Sequence, residues 1–335
     1  MTDLAGKVEN KLKSSKNIVI LSHVNPDGDA IGSSLALCQV LINIGKINTS
    51  VVVPNEYPDF LKWMPGTVHI SIMSKESKKA TRAIEDADMI FMLDFNSTDR
   101  AGEAEKYINA SKAYKVLIDH HPDPGNFADI TITDTRASST AELVYRFIET
   151  AGKLKYIDNN VATCIYAGIM SDTGSFSYNS SEPETYRVLS ELLRRGIDKD
   201  KIFSRVYDNF SENRMRLLGF CLDKKMVVFP EFGTAYMSLS LSEKRIYKYV
   251  RGDAEGFVNY PLSIKGISFT AFFMENDDHV KISFRSKGHF DANRFALENF
   301  NGGGHKNASG GESKLGLQDT INKFISLLPS YINPE

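Results

Sequence analysis

Asp119, His120 and His121 stand in a row at the end of an apolar run, Lys115-Val-Leu-Ile-Asp-His-His-Pro122. Three ionisable side chains at such a point must be solvated, paired or bound to metal. The metal reading needs further ligands, and the chain offers them elsewhere. His23, Asp27 and Asp29 fall close together in His23-Val-Asn-Pro-Asp-Gly-Asp29, an imidazole and two carboxylates of the kind that suit a divalent cation. Asp94 ends the run Asp88-Met-Ile-Phe-Met-Leu-Asp94, and Asp172 lies in Ser171-Asp-Thr-Gly174. Each carboxylate also has a plainer reading. Asp27 or Asp29 serves equally as a helix cap, Asp94 as a cap or turn residue, and Asp172 as a turn residue. Capping leaves His23 unexplained, and Asp94 gains weight by closing another strand of the same arrangement.

To bring these residues together, several strands must end at one edge of a sheet. Residues 17–22, 47–53, 88–94 and 115–119 read as buried strands rich in β-branched and aliphatic side chains, with a short strand at 129–133. Helices are expected at 4–12, 30–44, 75–85, 138–150 and 159–170, with another opening at 96–100. This alternation predicts an α/β domain, a parallel sheet with helices on both faces, with its chemistry at the carboxyl edge. Pro26 and Gly28 are expected to hold a tight turn that presents His23, Asp27 and Asp29 together. Ser139 and Glu142 have capping-box spacing, so the Ser/Thr cluster beside them reads as structural rather than catalytic. Helices at 184–195, 201–207 and 213–222 then lead to alternating strands at 226–229, 234–239, 267–273 and 279–285. The expected domains are a catalytic one over 1–185, a helical connector over 186–229 and a smaller α+β domain over 230–335.

Composition narrows the function. With 335 residues, 42% hydrophobic and 24% charged, the chain can bury the cores of two domains. A formal net charge of -2 argues against a protein that coats long nucleic acid and leaves room for a small anionic substrate. Cys38, Cys164 and Cys221 sit in apolar settings without paired spacing, as buried thiols of a reducing cytoplasm do. No signal-type segment and no run of about 18 apolar residues is present, so a cytoplasmic protein without membrane attachment is expected.

The His23–Asp29 segment, Leu93-Asp94, Asp119-His-His121 and Ser171-Asp172-Thr-Gly174 resemble, in order, four motifs of the DHH phosphoesterase superfamily. The resemblance implies one metal held by His23, Asp27 and Asp94 and a second held by Asp29, Asp94, His120 and Asp172, with Asp94 shared. It implies that His121 contacts the phosphate or assists the leaving group, while Asp119 orients imidazole from behind. Carboxylates gathered at one edge would repel a phosphate unless cations reverse the sign. Two divalent ions about 3.5–4 Å apart do so, and they also activate water near neutral pH. A mixed oxygen and imidazole shell suits Mn2+, with Mg2+ or Co2+ as substitutes.

The carboxyl-terminal part carries a second resemblance. Residues 280–306 contain five Lys/Arg against two Asp/Glu, a local basic patch that includes Arg285 and Lys287. In Gly302-Gly-Gly-His305 the glycines let backbone amides approach an anion. These features resemble the DHH-associated C-terminal domain, and they implicate Arg285 and His305 in gripping substrate, supported by Gly303, Gly304 and Lys287. Two such domains suggest a cleft with metals on one wall and the nucleotide grip on the other. Within the superfamily the match is to the nanoRNase/pAp phosphatase type. That implies hydrolysis of short RNA, including pApA-type dinucleotides, and removal of the 3′-phosphate of 3′-phosphoadenosine 5′-phosphate (pAp). Alternatives are a manganese-dependent inorganic pyrophosphatase, a cyclic or linear dinucleotide phosphodiesterase, and a nucleotide-binding module without catalysis. Homodimers are common in the family.

Overall fold

The apolar runs of the first half pair as parallel strands. A computed structural model describes residues 2–332, and the chain divides into two compact units, one ending at Asn209 and the other beginning at Phe210. In the first unit the strands are β1 (Ile18–Leu21), β2 (Thr49–Val53), β3 (Ile70–Ile72), β4 (Met89–Leu93), β5 (Tyr114–Asp119) and β6 (Ile130–Thr133). They form one sheet in the order β3-β2-β1-β4-β5-β6, and every neighbouring pair is parallel. Ile18 and Ile20 join a core that includes the helices Gly28–Asn43, Thr140–Thr150 and Asn159–Asp172, whereas Val19 and Leu21 join a second core with Ala80, Ile84 and Ile108. Burial on both faces explains why these strands are apolar at successive positions instead of alternating.

Strand order runs outward in opposite directions from the β1–β4 pair. In a doubly wound sheet that reversal opens a crevice beyond the carboxyl ends of the strands, where ligands bind. Residues directly after β1 and β4, and those at the end of β5, therefore meet at one place.

Three local differences from the sequence-based expectation have physical causes. The three-residue β3 lies between the strand expected at 47–53 and the helix expected at 75–85, and it is too short to show a periodicity. The helix expected from 96–100 is instead a 3-10 turn, Thr98–Ala104, interrupted by Gly102 at φ 55° before a helix at Glu105–Ala110. The segment read as a connector is divided between the units. Helices Pro183–Arg194 and Lys199–Tyr207 bury Val188, Leu192, Ile202 and Val206 in the first unit's core. The helix Glu212–Phe220 buries Leu217 and Leu218 in a cluster of the second.

The second unit is a six-stranded mixed sheet, built from β7 (Val227–Phe229), β8 (Thr234–Leu239), β9 (Phe269–Glu275), β10 (Val280–Ser286), β11 (Gly303–His305) and β12 (Ala308–Ser313). Its order is β11-β12-β10-β9-β8-β7, with β8 and β9 parallel and the other pairs antiparallel. Phe269, Phe273, Phe284, Phe295, Phe300 and Phe324 fill the core beneath one face. The glycine-rich stretch, whose glycines were expected to let backbone amides approach an anion, forms the β11–β12 hairpin. Gly304 there has φ +144°, and a Cβ on Gly302 would come within 2.1 Å of the Gly310 carbonyl oxygen. Close backbone approach is thus a structural reason for glycine at these two positions.

Candidate metal centre

His23 follows β1 and is buried. Its Nδ1 donates to the Val24 carbonyl at 2.8 Å, which leaves Nε2 directed at carboxylates, 3.3 Å from Asp94 Oδ2 and 4.0 Å from Asp27 Oδ1. Asp27 is the N-cap of the Gly28 helix: its Oδ1 accepts from the amides of Asp29 and Ala30 at 3.0 and 3.1 Å. Capping and proximity to His23 are therefore both true of this residue. Asn25, at φ 57°, supplies the left-handed turn of the loop and is braced through its amide and side chain by Asn55. Gly28 serves a different purpose from the one expected, since a Cβ there would lie 2.3 Å from Ser171 Oγ.

Asp94 follows β4 at φ 67° and is 2% exposed. Aspartate is among the few residues other than glycine that tolerate this left-handed conformation. One oxygen, Oδ2, faces His23, while Oδ1 accepts from the Thr140 hydroxyl at 3.0 Å and lies 3.7 Å from His120 Nε2. His120 repeats the geometry of His23. Its Nδ1 donates to the Ala137 carbonyl at 3.4 Å, and its Nε2 is 3.6 Å from Asp172 Oδ2 and 4.0 Å from Asp29 Oδ2. A main-chain carbonyl on one ring nitrogen fixes the tautomer and offers the other nitrogen to a ligand, as at metal-binding histidines.

Asp29 is 1% exposed and takes amide bonds to both oxygens, from Thr140 at 2.7 Å and Ala141 at 2.8 Å. Burial, then the carboxylates of Asp94, Asp172 and Asp27, push its pKa well above the usual carboxylate range. Burial acts in the same direction on Asp94, but His23, His121 and His120 outweigh it and hold that carboxyl well below the range. Asp172 is the last residue of its helix, where the macrodipole disfavours negative charge. Such a centre is short of positive charge. Ligand atoms of His23, Asp27 and Asp94 lie within 4.8 Å of one another, as do those of Asp29, His120 and Asp172, so both groups are suited to hold a cation. The donors are carboxylate oxygens and imidazole nitrogens, which fit a hard or borderline divalent ion. All three thiols are buried, and burial pushes each up to about 12, leaving no thiolate for a competing soft site.

Asp119 is fully buried, and its Oδ1 accepts from His121 Nδ1 at 2.7 Å. The imidazole it orients is thus that of His121, which also lies 3.8 Å from Asp94 Oδ1.

In the second unit, Arg285 on β10 pairs in register with Ala308 on β12, and Ala308 pairs with His305 on β11. Arg285 and His305 thus occupy one row across three strands. Phe284 and Ile282 are buried in the phenylalanine core, so alternation gives Lys281, Ser283 and Arg285 to the opposite face of the strand. Gly304 pairs with Ser309 in the next row, and Gly303 with Gly310 in the row after it. The Lys287 ammonium donates to the Leu262 carbonyl.

The residue that motif reading undervalued is Thr140. Ser139 caps its helix by accepting from the Glu142 amide at 3.1 Å, as the spacing suggested, but Glu142 turns to Ser138 and Thr185 instead of closing the box. Thr140, next in line, bonds both Asp94 and Asp29. The only signal for this in the chain is a helix start with small polar residues.

Comparisons with known proteins agree with this architecture. The N-terminal domain model of the DHH family matches residues 17–169, and the DHHA1 domain model matches residues 242–333. The bifunctional oligoribonuclease and PAP phosphatase NrnA of Bacillus subtilis is 28% identical, over 88% of this chain and 88% of its own. Its namesake from Thermus thermophilus is 29% identical, over 92% of this chain and 88% of its own. Among solved structures, an exopolyphosphatase-related protein from Bacteroides fragilis superposes with a TM-score of 0.95 at 44% identity, covering 99% of this chain and 97% of that one. No helix among the described residues is long and apolar enough to cross a membrane. The chain belongs to the DHH family of phosphoesterases, in the group that carries a DHHA1 domain.

Proposed function

We propose that this protein is a dimetal phosphoesterase that hydrolyses very short RNA, including pApA-type dinucleotides, to mononucleotides and removes the 3′-phosphate of pAp. The observation that carries the reading is Asp94, with Oδ2 3.3 Å from His23 and Oδ1 3.7 Å from His120, one oxygen toward each ligand group. Its substrate side is supported by the two relatives of that dual name, which align with 88% and 92% of the chain. His23, Asp27 and Asp94 would hold one divalent ion, and Asp29, Asp94, His120 and Asp172 the other. Bound ions supply positive charge to an anionic phosphoester and lower the pKa of water toward neutrality.

The chain's own residues do the rest. Asp119 engages the proton on His121 Nδ1, so Nε2 is the nitrogen available to meet the phosphate, and a proton passed to the leaving oxygen would be the second proton of the ring, carried on Nε2. Asp29 is held against rotation by two backbone amides. Arg285 offers a planar guanidinium suited to phosphate, with His305 in the same row and Gly303, Gly304 and Lys287 nearby in the sequence. The reading extends to Mn2+ as the working metal, with Mg2+ and Co2+ as substitutes, and to a cytoplasmic homodimer; metal substitution, fractionation and sedimentation test these.

Parallel hydrolysis assays with pApA, pAp and pyrophosphate, each with Mn2+ and with chelator, test the function. Both nucleotides should turn over with Mn2+ and neither with chelator. Turnover of pyrophosphate without either nucleotide would overturn the proposal.

A further inference from the structure

We infer that Thr140 is a positioning residue that aligns the shared carboxylate of the centre, an inference that rests on the dimetal reading above. Thr140 is fully buried at the first turn of its helix and touches carboxylates from two different elements. Its hydroxyl donates to Asp94 Oδ1 at 3.0 Å, after β4, and its amide donates to Asp29 Oδ2 at 2.7 Å, in the Gly28 helix. The neighbouring Ala141 amide completes the grip on Asp29 at 2.8 Å. A few residues earlier, the Ala137 carbonyl accepts from His120. The short stretch 137–141 thereby touches Asp29, Asp94 and His120, which come from three separate parts of the chain.

Helix capping does not account for the Thr140 hydroxyl, because Ser139 already caps this helix. The first two free amides of a helix need acceptors, and Asp29 supplies them. A hydroxyl bond to Asp94 is an addition that helix formation does not require. Its effect is to restrict rotation of a carboxylate whose two oxygens face different ligand groups. Hydrogen-bond partners of metal ligands act in this way, and their loss weakens metal binding by about 10- to 100-fold.

The test is Mn2+ titration of the full-length protein, followed by the EPR signal of free Mn2+, for wild type, Thr140→Val and Thr140→Ser. Valine keeps the shape and the amide bond to Asp29 and removes only the hydroxyl. The expected result is Mn2+ binding weakened about 10- to 100-fold in Thr140→Val, with Thr140→Ser close to wild type and metal-free melting temperatures similar for all three. Equal affinity in Thr140→Val and wild type would overturn the inference, as would a Thr140→Ser variant as weak as Thr140→Val. If Thr140→Val does not fold, Thr140→Ala against Thr140→Ser makes the same comparison. Failure of wild type itself to bind Mn2+ is a different outcome, which sinks the dimetal reading and the inference with it.

Discussion

His23 and His120 are fixed by the same device: Nδ1 on a main-chain carbonyl and Nε2 turned to carboxylates. His121 differs, because its Nδ1 is engaged by Asp119 at 2.7 Å. That contrast separates the residues suited to hold cations from the one suited to handle a proton. Replacing Asp119 by Asn should lower kcat for pApA by about 10²- to 10⁴-fold while Mn2+ stoichiometry stays unchanged; a normal kcat in that variant would remove His121 from the chemistry. At this scale much of the site could be read from the sequence, because His23, Asp94 and His120 each stand within two residues of the end of an apolar run. Thr140 was not legible. Its bond to Asp29 spans 111 positions, and nothing local distinguishes it from an ordinary residue of a helix start.

Among the elements, the decisive contact is between the helices Gly28–Asn43 and Asn159–Asp172, with Thr140–Thr150 beside them. A Cβ on Gly32 would lie 2.6 Å from the Cys164 carbonyl oxygen, and one on Gly168 would lie 2.7 Å from Ala141 Cβ and 3.1 Å from Asp29 Oδ1. These glycines let the helices approach until Asp29 and Asp172 reach one imidazole. Gly168→Ala should therefore cost about 1–3 kcal/mol, as other overpacked interiors do, and weaken metal binding by displacing Asp29. Thermal melting and Mn2+ titration check both parts, and a variant with wild-type values in both would refute the packing argument. The strands of the first sheet were readable because burial on both faces makes them continuously apolar. β3 and the β11–β12 hairpin were not, since one is three residues long and the other is rich in glycine. In each, pairing to a neighbouring strand decides the structure, and pairing leaves no trace in local periodicity.

At the scale of the molecule, the two units carry different groups: carboxylates and imidazoles gathered at the sheet edge in the first, Arg285 and His305 in one row across three strands in the second. If that division holds, Arg285→Ala should raise KM for pApA about 10- to 100-fold, the worth of a charged hydrogen bond, with Mn2+ binding intact. An unaltered KM would take the grip away from this face. The account as a whole turns on one carboxylate serving two ions. The most direct measurement is the Mn2+ content of metal-reconstituted wild type and Asp94→Ala. Two Mn2+ per chain in wild type, and loss from both sites in the variant, is the predicted result; a variant that still binds two Mn2+ would contradict a shared Asp94.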